Sequence, residues 1–248
     1  MRRRSIVGNW KMNGGLATLA ELDGIAAAAG AAPDVDVAVA VPATLIAPAH
    51  ARIPTLAIGA EDVHEADHGA HTGCLSAAMV KEAGASFTIV GHSERRGDQH
   101  ETSHDAFMKA AAAHRHGLGV ILCVGELQAE RDAGRAERVV QAQIEKSLPD
   151  DAHADWLTLA YEPRWAIGTG RTPTLDDIAT MHAIARAKLR QMVGDTALAM
   201  RILYGGSVTA DNAARIMAVD NVDGALVGGA SLTAAKFAPI IAAAHRGA

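Results

Sequence analysis

Val120-Ile121-Leu122-Cys123-Val124 is an apolar run without a polar interruption, and its reading decides the fold. A strand this continuously apolar is buried on both faces, the condition of a parallel sheet covered by helices. Comparable β-rich runs occur at residues 5–9, 35–41, 56–60, 87–91, 157–161, 201–204 and 225–227. Between them lie segments long enough for helices, among them residues 102–116 and 176–192, with apolar residues near a 3.6 period. Strand and helix alternating in this way imply a parallel α/β sheet. A count of about eight βα units favours closure into a single-domain (β/α)8 barrel, with an open doubly wound sheet as the runner-up.

The 248 residues match the size of one such barrel, and no linker rich in Pro, Gly or Ser divides them, so residues 1–248 are expected to form one catalytic domain. Thr174-Leu175-Asp176-Asp177 reads as a capping box that starts a helix near Leu175. The alanine-rich residues 26–32 read as helix plus turn. Apolar residues make up 49% of the chain and charged ones 21%, enough to bury a full core. A formal charge of −5 without a basic stripe argues against a nucleic-acid partner. Cys74 and Cys123 have no metal-ligand spacing and form no disulfide framework, which suits a reducing cytoplasm. After Met1-Arg2-Arg3-Arg4 the apolar run is only Ile6-Val7 before Gly8-Asn9, too short for an export signal. The most apolar stretch, residues 35–49, is cut by Pro42 and Pro48 and does not reach the length of a membrane span.

Polar residues and glycines follow the expected strands directly, where a parallel barrel gathers its active site. After the first comes Asn9-Trp10-Lys11-Met12-Asn13, after the fourth Gly91-His92-Ser93-Glu94-Arg95-Arg96, and after the sixth Tyr161-Glu162-Pro163. A lone lysine is usually a solvated charge, and one of 12 histidines is usually structural. A cation, an imidazole and a carboxylate all facing one mouth have no such bland account. The last two strands run into Tyr204-Gly205-Gly206-Ser207 and Val227-Gly228-Gly229-Ala230-Ser231, glycine-rich turns whose backbone N–H groups can approach a phosphate. Either turn alone could equally be a tight turn needing positive φ. Residues 163–173 make a long connection after Glu162 and read as a lid, with Trp165 and Ile167 to cover the site.

Taken together, Asn9-Trp10-Lys11-Met12, Gly91-His92-Ser93-Glu94-Arg95-Arg96, Ala160-Tyr161-Glu162-Pro163 with the segment from Trp165 to Gly170, and Tyr204-Gly205-Gly206-Ser207 resemble the triosephosphate isomerase family in order and approximate spacing. The resemblance runs from Ile6 to Ser231. It implies a TIM barrel forming a homodimer that interconverts dihydroxyacetone phosphate and D-glyceraldehyde 3-phosphate, with no metal and no organic cofactor. By the same resemblance Glu162 is the base, His92 the electrophile, Lys11 the fixed cation and Asn9 a donor to substrate oxygen. This family is the standard example of a histidine kept neutral by a helix N-terminus, and the resemblance carries that role to His92. Glu94 and Ser93 match supporting residues at the same mouth, while Gly168, Ser207, Gly228 and Gly229 match backbone phosphate donors.

The loop from Asp62 to Ser76 matches the family's dimer-contact loop, yet the chain departs from the family pattern there. Glu61-Asp62 stand in place of a common Gln-Asn, and Cys74 in place of an acid that pairs with the arginine matching Arg95. Arg95 is therefore expected to find Glu61 or Asp62. Arg164 replaces a common valine beside the base, Arg171 a common lysine, and Pro173 precedes Thr174 where a proline often follows. Three other functions compete: an isomerase of a four-carbon ketose phosphate, a catalytically silent phosphate-sugar binding barrel, and a structural oligomer subunit. The silent barrel would have lost one of Lys11, His92 or Glu162, and the structural subunit would not need the glycine turns.

Overall fold

The computed structural model describes residues 2–166 and 173–246. Eight strands run β1 (Arg4–Asn9), β2 (Val35–Val41), β3 (Ala57–Ala60), β4 (Phe87–Val90), β5 (Gly119–Val124), β6 (Leu157–Tyr161), β7 (Ile202–Tyr204) and β8 (Gly224–Val227). They close in sequence order into a barrel, every neighbouring pair parallel. Closure is made by β1, which pairs with β2 from Arg4↔Val35 to Asn9↔Ala40 and with β8 from Ser5↔Gly224 to Gly8↔Val227.

Side chains of a strand alternate between faces, and here the alternation separates two cores. In β5, Ile121 and Cys123 join Val7, Ala40, Phe87, Ile89, Ala160, Leu203 and Leu226 in the cluster that fills the barrel lumen. Val120, Leu122 and Val124 belong instead to the larger cluster between barrel and helices, with Trp10, Tyr161, Val140, Ile144, Leu189 and Phe237. The unbroken apolar run thus supplies both layers, as a strand buried on two faces must.

The outer layer is built by α1 (Glu21–Ala31), α2 (Ile46–Arg52), α3 (Ala77–Glu82), α4 (Ser93–Asp98), α5 (Ser103–Arg115), α6 (Gln128–Asp132), α7 (Ala136–Ser147), α8 (Leu175–Val193), α9 (Ala210–Met217) and α10 (Ala234–Ala244). Where the sequence marks a helix start, the caps form. Thr174 Oγ1 accepts from Asp177 N–H at 3.1 Å while Asp177 accepts from Thr174 N–H at 3.0 Å, a reciprocal box that opens α8. Thr102 and Asp105 do the same for α5.

Among the described residues, no helix is long and apolar enough to cross a membrane.

Candidate active site

Asn9 closes β1 two residues after the lumen-facing Val7, so alternation brings it to the inner face at the C-terminal mouth. The chain then turns through Lys11 at φ 56°, a left-handed conformation uncommon for a residue with a side chain. Asn9 Oδ1 accepts from the Lys11 N–H at 3.2 Å and supports that turn. Trp10 is fully buried, and its Nε1–H donates to the Ser231 carbonyl at 3.0 Å, tying the loop after β1 to the loop after β8. Lys11 projects over the mouth, with Nζ 2.6 Å from Glu94 Oε1.

His92 caps α4, its Nδ1 accepting from the Glu94 N–H at 3.3 Å. The remaining ring nitrogen then carries the hydrogen: Nε2 lies 2.9 Å from Glu162 Oε1. Glu162 Oε2 accepts from the Ser93 N–H at 2.9 Å, and both His92 and Glu162 are buried. Burial pushes the Glu162 carboxyl up, but His92, the Ser93 N–H and Lys11 outweigh it and hold the group below the usual carboxylate range. Burial likewise opposes a charged His92, and the adjacent Glu162 carboxylate reverses this so that the imidazole titrates above its usual value. That elevation lasts only while Glu162 stays beside the ring. Gly205 makes room for the carboxylate, because a Cβ there would stand 2.7 Å from Glu162 Cγ.

The ends of β7 and β8 meet at the same mouth. Ser207, Gly228 and Gly229 line one cavity of about 580 Å³ together with Asn9, Lys11 and Glu162. Among the described residues, the backbone N–H groups of Ser207, Gly228 and Gly229 donate to no protein acceptor. Gly229 opens the short helix Gly229–Leu232, whose first N–H groups are free by geometry. A cradle of unspent donors beside a lysine suits a phosphate dianion. Another cavity, of about 620 Å³, lies among the N-terminal strand ends, but its Asp36 and Arg201 are spent on each other.

A sequence model of the triosephosphate isomerase family matches residues 4–244. The chain belongs to the triosephosphate isomerase family. It is accordingly an isomerase. Triosephosphate isomerase of Ruegeria sp. (strain TM1040) is 52% identical over 244 residues, covering 98% of each chain. That of Dinoroseobacter shibae (strain DSM 16493 / NCIMB 14021 / DFL 12) is 52% identical over 246 residues, covering 98% of this chain and 99% of its own. The crystal structure of triosephosphate isomerase from Bartonella henselae superposes with a TM-score of 0.91 at 41% identity, covering 97% of this chain and 98% of that one.

Within this family frame, Asn9, Lys11, His92, Ser93, Glu94, Glu162, Ser207, Gly228 and Gly229 all line the one cavity. Gly168 lies outside the described residues. The sequence reading missed Glu126, a fully buried acid two residues beyond β5. It accepts from Trp165 Nε1 at 2.8 Å and Tyr161 OH at 3.1 Å, and its carbonyl accepts from the Arg164 N–H at 3.1 Å. Arg131 stacks over Trp165 at 4.8 Å. Glu126 thus anchors the chain just after Glu162, and the strand-end rule applied to β5 would have found it.

Beside this cavity is another of about 910 Å³, sharing Asn9, Lys11, His92, Glu94 and Asp98 with it and lined further by Glu61, Asp62, Cys74 and Arg95. Of the two partners expected for Arg95, it takes Asp62, at 2.9 Å, and adds Glu101 at 2.7 Å. Lys109 bonds the same two acids at 2.9 and 2.6 Å, so a pair of carboxylates is balanced by a pair of cations. Glu61 stays out of this network, and its Oε1 is buried without a partner. Burial pushes its carboxyl up to about 8, opposed by the Lys11 N–H, His92 and Lys11 and reinforced by Glu94.

Proposed function

We propose that this chain interconverts dihydroxyacetone phosphate and D-glyceraldehyde 3-phosphate through an enediolate, with Glu162 moving the proton between carbons. The observation that carries the reading is the buried bond between Glu162 Oε1 and His92 Nε2 at 2.9 Å, at the edge of a cavity that also holds Lys11 and the free N–H cradle. A substrate anchored by its phosphate at Ser207, Gly228 and Gly229 places its carbonyl between the two groups. The Nε2–H then turns to the carbonyl oxygen and the carboxylate to the adjacent C–H. Glu162 removes that proton as electrons flow onto oxygen, and returns a proton to the neighbouring carbon. His92 relays a proton between the two oxygens, with Nδ1 held as an acceptor by the Glu94 N–H. Once Glu162 has left the ring, burial favours the neutral imidazole. Lys11 and Asn9 stabilise the negative charge as it forms.

The chain acts as a homodimer through the loop from Asp62 to Ser76. The support is a set of exposed apolar side chains: Met12, 97% exposed, and Leu75, within the loop, both line the larger cavity, and Leu16 and Met79 are exposed as well. Its two cysteines are unpaired, which suits the cytoplasm. The test is kcat/KM for glyceraldehyde 3-phosphate against a tetrulose phosphate, since that ratio reports differential transition-state binding. The triose should win by orders of magnitude; equal or reversed values would replace this reading with the four-carbon isomerase.

A further inference from the structure

Arg164 occupies the second position after Glu162, at the start of the short helix Arg164–Ala166, and is half-buried. Its guanidinium lies across α4 above Gly97, where a Cβ would stand 2.9 Å from Nη2. Both residues line the catalytic cavity. Among the described residues the guanidinium makes no ion pair and no side-chain hydrogen bond. The other charges facing this wall do not neutralise it. Lys11 and Glu94 are spent on each other, His92 and Glu162 likewise, and Asp98 is exposed and forms no ion pair with it. Arg96, behind the wall, is a like charge that feels Arg164. An unneutralised guanidinium in the mouth of a site is therefore available to an anion from solution.

We propose that Arg164 is a capture cation, which meets the phosphate dianion of the substrate at the cavity rim and hands it to the cradle formed by Ser207, Gly228 and Gly229. This inference rests on the triose phosphate reading above. The physical need is plain: a chain of formal charge −5 repels a dianion, and a local cation in a low-dielectric cleft offsets that repulsion where it matters. Enzymes of this family are standard members of the group whose kcat/KM reaches the diffusional ceiling, so the encounter step is where such a charge acts. Gly97 is the second half of the device, because only a residue without a Cβ leaves the seat in which the guanidinium rests.

The experiment compares wild type, Arg164→Met, Arg164→Lys and Gly97→Ala in kcat, KM and inhibition by inorganic phosphate, at ionic strengths of about 10 mM and about 300 mM. At low salt, where screening extends to roughly 30 Å, Arg164→Met should lose about three- to tenfold in kcat/KM, with kcat held within about twofold. At high salt the gap should close. Arg164→Lys should keep most of the wild-type value, and inorganic phosphate should inhibit Arg164→Met more weakly. Gly97→Ala should change kcat/KM in the wild-type background and have no further effect in Arg164→Met, because the two act as one unit. Equal salt slopes and equal phosphate inhibition in wild type and Arg164→Met would overturn the proposal, as would a fall in kcat at unchanged KM. If wild type fails to turn over a triose phosphate, the functional reading fails; phosphate binding measured by titration calorimetry on the two proteins then still decides whether Arg164 captures the anion.

Discussion

Replacing Glu61 by glutamine should stabilise the protein, and increasingly so as pH rises. The carboxyl is pushed up to about 8 from 4.5, first by burial, and one of its oxygens is buried without a hydrogen-bond partner. Between those two pH values the folded protein holds a proton that the unfolded chain has released. Stability from this group is therefore present below about 4.5 and is lost as pH rises toward about 8. Each pH unit across that interval is worth ~1.4 kcal/mol, which sets a ceiling of ~5 kcal/mol. Glu61 is half-buried, so water screens part of the penalty and ~2–3 kcal/mol is the reasoned cost at pH 9. Glutamine keeps the shape, stays neutral and can donate. Lys11, His92 and Glu94 face the group directly, and Asp62, Arg95, Lys109 and His64 line the same cavity, but they are common to both proteins. Urea unfolding of wild type and Glu61→Gln between pH 5 and 9 reads the difference. The two should nearly coincide at pH 5 and separate by ~2–3 kcal/mol at pH 9, about 5–10 °C in Tm for a chain of this size. Parallel curves across the whole range would refute the reasoning, since they would mean that Glu61 ionises normally in the folded state.

Glu162→Gln preserves shape but cannot accept a proton at neutral pH, so kcat should fall by about 10²–10⁴ while inhibition by phosphate is kept; a loss below tenfold would count against Glu162 as the base. Gly228→Val places bulk against Lys11, whose Cε would lie 3.5 Å from the new Cβ, and should raise KM and weaken phosphate inhibition together. Cys74 is exposed in the single protomer while Cys123 is buried, so thiol labelling reads Cys74 alone and should rise as dilution dissociates the dimer. Labelling independent of protein concentration would remove Cys74 from the interface.

The barrel was legible because the periodicities that specify it are local. Residues 35–41 and 157–161 are read as strands to the residue, and residues 176–192 lie within α8, Leu175–Val193. The misses are at ends, for local reasons. Gly91, read as the end of the fourth strand, turns to φ 67° and leaves the ladder at Val90. Arg201, read into the seventh strand, precedes it and turns its guanidinium to Asp36 and the Arg3 carbonyl. Strand-end position alone brought Asn9, Lys11, His92 and Glu162 to one mouth. What sequence could not show is partner choice among distant charges. Glu101 lies six residues from Arg95 along the chain, yet its burial between Arg95 and Lys109 depends on how α4 and α5 pack. Where the Arg164 guanidinium rests likewise depends on the absence of a Cβ at Gly97, on α4.

The central claim is that Glu162 transfers a proton between adjacent carbons, and conversion of dihydroxyacetone phosphate in D₂O tests it most directly. A carboxylic acid formed by abstraction exchanges its proton with solvent before returning it. Wild type should therefore yield glyceraldehyde 3-phosphate carrying deuterium at carbon 2, and Glu162→Gln should neither form that product at a comparable rate nor exchange deuterium into the remaining substrate. Product formed at full rate without deuterium, or undiminished exchange in Glu162→Gln, would contradict the account.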